Sequence, residues 1–369
     1  MRLEANGRFA AAAAENKIKT DRKHIGKECL TRPERGLTMG KKVNWAVLST
    51  GRIAHELGEC FAKHPDAVPY AVGSRDLAKA EAYKEEFGFQ KAYGSYEEML
   101  QDPDIDIVYI GTPTTMHYEN AKMCLEHGKN VLCEKAITIN KKQFEALCAL
   151  AKEKDLFLME AMWLPLHPTF KKAAEWIREG RIGDVQYIKA EHTFQHPYDP
   201  TDRGFSKALG AGTILDLGVY NFAFAGEMFG AKPEKINMIG RLGPDGADID
   251  SQVQLIYPGG YAIFTMGYTS DTTANTFIAG SKGKIQYNEI YTGAKYVYLY
   301  DDRMRIVETY AEPNGWVGLD YEMESVTECI QQGKKMHPVI TWDHTLEMFD
   351  IVEECKRQMG VDYGEFEAL

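Results

Sequence analysis

Residues 43–54 read VNWAVLSTGRIA. Val43, Trp45 and Val47 alternate as a short buried strand, which Ser49-Thr50-Gly51 brings to an end. Ile53, Leu57, Cys60 and Phe61 then recur at helical spacing. Strand, tight turn and helix start in that order make a phosphate-binding corner, where backbone N–H groups at the helix N-terminus face a pyrophosphate. The glycine fingerprint stands as Ser49-x-Gly51-x-x-Ala54, without its first glycine. Taken alone it is equally an ordinary strand–helix turn.

The chain beyond it supports the corner. Tyr70–Ser74 reads as a second strand, with Pro69 tolerable only at its entrance. Asp76 caps a helix through Ala80 and Tyr83 to Phe87, and Ser95-x-x-Glu98 opens another over Met99 and Leu100. Asp106–Ile110 is a strand ending at Gly111-Thr112-Pro113, followed by a helix over Tyr118–His127 closed by Gly128. Asn130–Cys133 is a strand ending at Glu134-Lys135; Asn140-x-x-Gln143 opens a helix to Lys154, and Leu156–Glu160 is one more strand. This alternation predicts an α/β domain, a doubly wound parallel sheet of the Rossmann type, over residues 39–160.

From residue 161 the pattern changes. A helix from Thr169 to Glu179 leads into an alternating strand, Val185–His192, and a second helix, Thr213–Phe229. A β-rich region from 235 to 310, broken by Pro258-Gly259-Gly260, Gly280 and Gly283, reads as antiparallel hairpins. Helices over Leu319–Gln332 and Trp342–Met359 close the chain. The expectation for 161–369 is an α+β domain with a large, open, mostly antiparallel sheet, serving substrate binding and oligomerisation. Residues 1–38 read as a disordered extension, or as sequence upstream of a true start at Met39.

Composition narrows the partners. Among 369 residues, 44% hydrophobic and 26% charged are ordinary for a soluble protein, and a net charge of −11 argues against a nucleic-acid surface. No apolar run approaches the roughly 20 residues of a membrane span. Seven cysteines without a C-x-x-C pair fit neither a disulfide framework nor a zinc site, which points to a reduced, cytoplasmic setting.

Three constellations carry chemistry. Ser74-Arg75 ends the second strand, where an acid would hold an NAD ribose and an arginine accommodates a 2′-phosphate. Arg75, with Arg52 nearby, points to NADP; Asp76 next door keeps NAD as the alternative. Glu134-Lys135 sits at the carboxyl end of a strand, where open α/β sheets bind ligands, although as a bare dipeptide, before context is added, it reads first as a surface ion pair. Asp216 and Tyr220 share one helical face at i and i+4. Tyr220 with Lys135 forms a proton relay if the ammonium favours the phenolate, and is otherwise a core tyrosine. His167, His192 and His196 lack metal-ligand spacing, so no metal is expected. Tyr291, Tyr296, Tyr298 and Tyr300 read as strand positions on a sheet face or oligomer contact.

With these motifs in place the chain resembles the Gfo/Idh/MocA family of NAD(P)-dependent oxidoreductases, and within it the dimeric dihydrodiol dehydrogenase and D-xylose dehydrogenase (NADP) subgroup. The marks are LSTGRIA (48–54), GSRD (73–76), KAYGSYEEML (91–100), YIGTPTTMH (109–117), GKNVLCEK (128–135), LFLMEAMW (156–163), Arg203, GAGTILDLGVY (210–220), AGSKG (279–283) and HPVITWDHTLEMFDIVEE (337–354). The resemblance implies that Ser49, Thr50, Gly51, Arg52 and Ile53 form the pyrophosphate turn, and that Ser74 and Arg75 meet the 2′-phosphate. Thr112, Pro113 and His117 would line the nicotinamide-ribose side, and Glu134 and Lys135 match the family's Glu-Lys-Pro motif. Trp163 would border both nicotinamide and substrate, with Arg203 on the approach to the glycine turn. Asp216 and Tyr220 take the catalytic helix positions, tyrosine standing where many sugar and inositol members carry histidine.

Two departures stand out: Ser49 replaces the first glycine, and Ala136 replaces the motif's proline, which frees the backbone after Lys135 and threatens the placing of its ammonium. The expected function is an NADP-dependent dehydrogenase moving hydride at a hydroxyl or hemiacetal carbon of a small sugar-like or diol substrate. Tyr220, Lys135 and Asp216 would handle the proton, in a homo-oligomer (dimer or tetramer) built through the open sheet. An inositol- or glucose-type dehydrogenase, a tightly bound-cofactor oxidoreductase and a non-catalytic cofactor-binding module are the alternatives.

Overall fold

A computed structural model describes residues 41–369; the expected N-terminal extension, with Met39, lies outside the described residues. Six strands form the first sheet: β1 (Val43–Leu48), β2 (Ala67–Gly73), β3 (Lys91–Tyr93), β4 (Ile107–Ile110), β5 (Asn130–Glu134) and β6 (Leu158–Ala161). Their order is β3-β2-β1-β4-β5-β6, and every pair is parallel. The helices between them are α1 (Arg52–Gly58), α2 (Leu77–Phe87), α3 (Tyr96–Leu100), α4 (His117–Glu126) and α5 (Lys141–Lys154). The caps are those expected: Asp76, Ser95 and Asn140 each accept a hydrogen bond from a first-turn N–H. α1 is shorter than its apolar spacing suggests, because the chain turns after Gly58 and Phe61 begins a separate 3₁₀ turn.

The order places the topological switch between β2 and β4, on either side of β1. Leu48 pairs with Ile110, and Gly111 N–H donates to Leu48 O at 3.2 Å, so the Ser49–Gly51 turn and the Gly111–Pro113 loop leave the sheet together. Pro69 is inside β2 rather than at its entrance. The register slips there, Trp45 pairing with Pro69 and Ala46 with Ala71, which absorbs the missing proline donor.

The second sheet has eight strands: β7 (Val185–Thr193), β8 (Lys235–Leu242), β9 (Asp248–Tyr257), β10 (Gly260–Gly267), β11 (Phe277–Gly280), β12 (Gly283–Tyr287), β13 (Tyr296–Asp301) and β14 (Ile306–Ala311). They run in the order β14-β13-β12-β11-β7-β10-β9-β8. The hairpins are antiparallel as expected, but β7 and β10 are parallel, reached through the intervening helical crossover. The later helices are α6 (Pro168–Arg178), α7 (Val219–Phe229), α8 (Gly318–Gln331) and α9 (Trp342–Met359). α6, α7 and α9 cover one face of this sheet, whereas α8 returns to the first sheet and packs on β1 and β2. There Trp45 Nε1 donates to Thr327 at 3.2 Å, and Lys63 and His64 reach Asp320. A division near residue 160 therefore separates the two sheets but not all the helices that cover them.

Three local expectations are corrected. The helix expected from Thr213 begins as a π turn, Ile214–Gly218, and becomes α-helical only at Val219. Tyr291 is not a strand residue: it is buried, stacks on Phe224 and donates to Asn221 at 2.6 Å, while Tyr296, Tyr298 and Tyr300 do occupy β13. The helical stretch Lys207–Phe229 is long and apolar enough to cross a membrane, against the reading of no such run; 78% of its most apolar window is packed inside this fold, as a core helix is. The six described cysteines are all buried and unpaired.

Candidate active site

The site forms where the first sheet's carboxyl ends meet the π turn. β5 ends in Glu134, and Lys135 follows it. The Lys135 ammonium donates to both the main-chain oxygen and Oδ1 of Asp216, each at 2.7 Å. Arg203 Nη2 reaches the same carboxylate at 3.1 and 3.2 Å, and the Tyr268 hydroxyl donates to Oδ2 at 2.9 Å. Burial pushes the Asp216 carboxyl up, but Lys135 and Arg203 outweigh it and hold the group well below the usual carboxylate range. The pair is enclosed, with side-chain exposures of 10% for Lys135 and 14% for Asp216.

Ala136 does not loosen this arrangement. Its carbonyl oxygen lies 2.8 Å from His117 Nδ1, and Ile137 N–H donates to Glu160 at 3.1 Å, so neighbours hold the backbone that proline would have held. The Lys135–Ala136 peptide is cis. His117 is buried with its other nitrogen 2.8 Å from Thr112 O. Both nitrogens face carbonyl oxygens, so neither is free to the crevice; burial drives the pKa to about 4, and the neutral ring donates to one of the two. Glu134 is also interior: it accepts from Tyr109 at 2.5 Å and from Lys135 N–H at 3.3 Å.

Tyr220 stands beside Lys135, but not as the phenolate relay requires. The ammonium lies over the ring face, 4.9 Å from its centroid, rather than on the hydroxyl. Burial, then Glu134, Glu322 and Asp216, push the phenol pKa well above its ordinary value. Tyr220 is thus a neutral donor whose buried hydroxyl has no protein partner. Trp163 packs on it at 5.3 Å and is fixed by an Nε1 bond to Thr292 O at 3.1 Å. Gly318 makes room for this indole, because a Cβ there would lie 2.3 Å from the ring.

The turn at Ser49 has the shape of an anion cradle. Gly51 precedes α1 without a side-chain cap, leaving the first N–H groups of the helix open. Ser49 takes the absent glycine's place at φ 114°, a left-handed backbone unusual for serine, and its hydroxyl accepts from Gly51 N–H at 3.2 Å. A Cβ at Gly111 would meet Ile53 at 3.2 Å, so the neighbouring loop closes on the turn. Thr50 and Ile53 are half-buried and Arg52 is exposed, 3.6 Å from Glu56. Ser74 is buried, Arg75 is exposed beside it, and the Asp76 carboxylate is turned to Ala78 N–H. Thr112 accepts from Asn120 at 2.9 Å, and Pro113 is half-buried. The residues present fit a dinucleotide along the carboxyl edge of the sheet.

Sequence reasoning passed over several neighbours. Tyr268, in phase with the apolar positions Ala262, Phe264 and Met266 just before it, holds Asp216. His192 lies 6.3 Å from Tyr220 ring to ring, and burial lowers its pKa to about 4, leaving it neutral. Phe194, His196, Tyr198 and Phe205 gather beside Tyr268, His196 and Phe205 stacking at 5.5 Å. His196 pairs with Asp202, and His167 bonds Thr169 away from the site. Among the described residues no three His, Cys, Asp or Glu side chains converge as metal ligands.

Two family models match the chain: an oxidoreductase family with an NAD-binding Rossmann fold over residues 43–162, and the GFO/IDH/MocA C-terminal domain over 170–286. A trans-1,2-dihydrobenzene-1,2-diol dehydrogenase of Mus musculus is 33% identical over 87% of this chain and 98% of its own. The Xenopus laevis protein of that name is 35% identical over 86% and 98%. Among solved structures, a 3-ketoreductase from Actinomadura kijaniata in complex with NADP and TDP-benzene matches with TM-score 0.76 and 25% identity, covering 86% of this chain and 98% of its own. An aldose-aldose oxidoreductase from Caulobacter crescentus shares the fold at TM-score 0.78 and 22% identity, over 86% and 98%.

Asp216→Asn leaves the Lys135 ammonium without its carboxylate and is expected to cost about 3 kcal/mol of stability in urea unfolding. Because the folded carboxyl titrates below its unfolded value, that difference is full above about pH 4 and closes as acid carries the protein through the lower folded pKa. A gap that stays constant down to acid unfolding would show that the charge of Asp216 is not what stabilises.

Proposed function

The chain belongs to the Gfo/Idh/MocA oxidoreductase family, and from that we propose that it is an NADP-dependent dehydrogenase acting on a hydroxyl or hemiacetal carbon of a sugar-like or diol substrate. The observation that carries the reading is the unpartnered Tyr220 hydroxyl, buried beside the Lys135–Asp216 pair at the edge of the dinucleotide cradle. The nicotinamide, when bound, supplies or takes up the hydride. Tyr220 Oη then gives a proton to, or receives it from, the substrate oxygen. Its raised pKa suits the reductive direction, in which a neutral phenol donates as negative charge develops on that oxygen. Lys135, fixed by Asp216, sets positive charge over the Tyr220 ring and lowers the cost of that charge. Arg203 and Tyr268 keep the carboxylate turned to Lys135.

Phe194 and Tyr198, 40% and 50% exposed, offer aromatic faces beside Tyr268 and Phe205, suited to the C–H face of a small ring. NADP over NAD is supported by exposed Arg75 and by the engagement of the neighbouring Asp76 carboxylate as a helix cap. The open face of the second sheet carries Tyr187, Tyr261 and Phe277 in contact, among paired polar residues such as Lys189 and Glu191. We assign that face to a homo-oligomer; light scattering that reads a monomer at working concentration would overturn the assignment.

The function is tested by cofactor reduction on aldoses, polyols and a trans-dihydrodiol, with NADP and NAD side by side. Turnover with NADP is expected to fall at least about 100-fold in Tyr220→Phe. Arg75→Ala is expected to raise KM for NADP about tenfold and leave KM for NAD unchanged. Survival of turnover in Tyr220→Phe would move the proton to another group, and tight NADP binding without turnover of any substrate would favour a binding module.

A further inference from the structure

Asp248 opens β9, is fully buried, and lies on no edge of the cofactor cradle. Its Oδ2 accepts from Thr213 Oγ1 at 2.6 Å and from Ile214 N–H at 2.8 Å. These two residues lead directly into the π turn that carries Asp216. Gly212, at φ 128°, lies against the same carboxylate: a Cβ there would sit 2.2 Å from Oδ1 and 3.1 Å from the Tyr363 hydroxyl. Ser251 Oγ holds Thr213 Oγ1 from the other side at 2.6 Å, and Tyr363 donates to Ala211 O at 2.6 Å. Backbone 211–214 is therefore clamped by side chains from β9 and from the C-terminal segment, and Asp248 is the charged member of the clamp. Burial raises its carboxyl to about 6, while the Thr213 and Ile214 donors pull it back down and are both received by Oδ2. A carboxylate oxygen on a first-turn N–H of a helical segment is favoured by the positive end of its dipole.

We propose that Asp248 is a positioning residue for the reaction: by fixing Thr213 and Ile214 it sets the π turn and so the direction from which Asp216 meets Lys135. π turns inside α-helices recur at functional sites because the wider turn redirects side chains. Here both the carbonyl and the carboxylate of Asp216 reach one ammonium. The proposal rests on the dehydrogenase reading for its effect on rate, but not for its effect on the turn.

The test uses the full chain with NADP bound, as wild type, Asp248→Asn, Thr213→Val and Thr213→Ser. Asp248→Asn is expected to lower kcat about tenfold while KM for NADP stays within about twofold, since misplacing a catalytic group costs rate before binding. Amide hydrogen exchange over 214–220 is expected to rise about tenfold, with the β1 and β4 amides unchanged. Thr213→Val is expected to move both readouts the same way and Thr213→Ser, which keeps the hydroxyl, to restore them; this pair decides the matter if Asp248→Asn does not fold. Unchanged exchange over 214–220 in Asp248→Asn, or a parallel rise in both sheets, overturns the proposal. A wild type that turns over nothing overturns the dehydrogenase reading alone, because the exchange arm still decides for Asp248.

Discussion

The salt bridge between Lys135 and Asp216 is the contact on which the arrangement depends. It joins the end of a strand in the first sheet to a turn that belongs to the second sheet's helices. In water such a pair contributes little, but here both side chains are largely enclosed, and each without the other is a buried charge. That asymmetry forces the surroundings to supply what the pair lacks. Arg203 and Tyr268 fill the remaining carboxylate positions, and the Tyr220 ring offers its face to the ammonium. With Lys135, Asp216, Arg203 and Tyr268 engaged with one another, the Tyr220 hydroxyl is the group of this cluster left open to a substrate oxygen.

Much of the fold was legible because it rests on local chemistry. Asp76, Ser95 and Asn140 are capping residues whose side chains can only be used one way at a helix start, and they were used that way. The run of short apolar strands separated by helices left a parallel sheet as the natural reading, and the switch point followed from it. Lys135, Asp216, Tyr220, Trp163 and Arg203, far apart in sequence, do converge.

What could not be read depends on distance. A helical wheel places Asp216 and Tyr220 on one face only if the helix is α throughout, whereas the segment starts as a π turn whose first N–H is held by Asp248, far on in the chain at the start of β9. The pKa of Tyr220 reads downward from a neighbouring lysine and upward from burial, and only the packed structure shows that burial and three carboxylates prevail. The replaced proline after Lys135 suggested a loose backbone; His117 and Glu160, on other elements, supply the restraint. The aromatic wall of Phe194, Tyr198 and Phe205 lies in a segment with no periodicity to announce it.

The central claim is that the Lys135 ammonium, held by Asp216, serves the proton step rather than the anchoring of the cofactor. The most direct measurement is single-turnover cofactor reduction by Lys135→Met, beside titration of NADP binding to the same variant. The expected result is a dissociation constant within about threefold of wild type and a hydride-transfer rate at least about 100-fold lower. Loss of NADP affinity equal to the loss in rate, or a rate close to wild type, would contradict it.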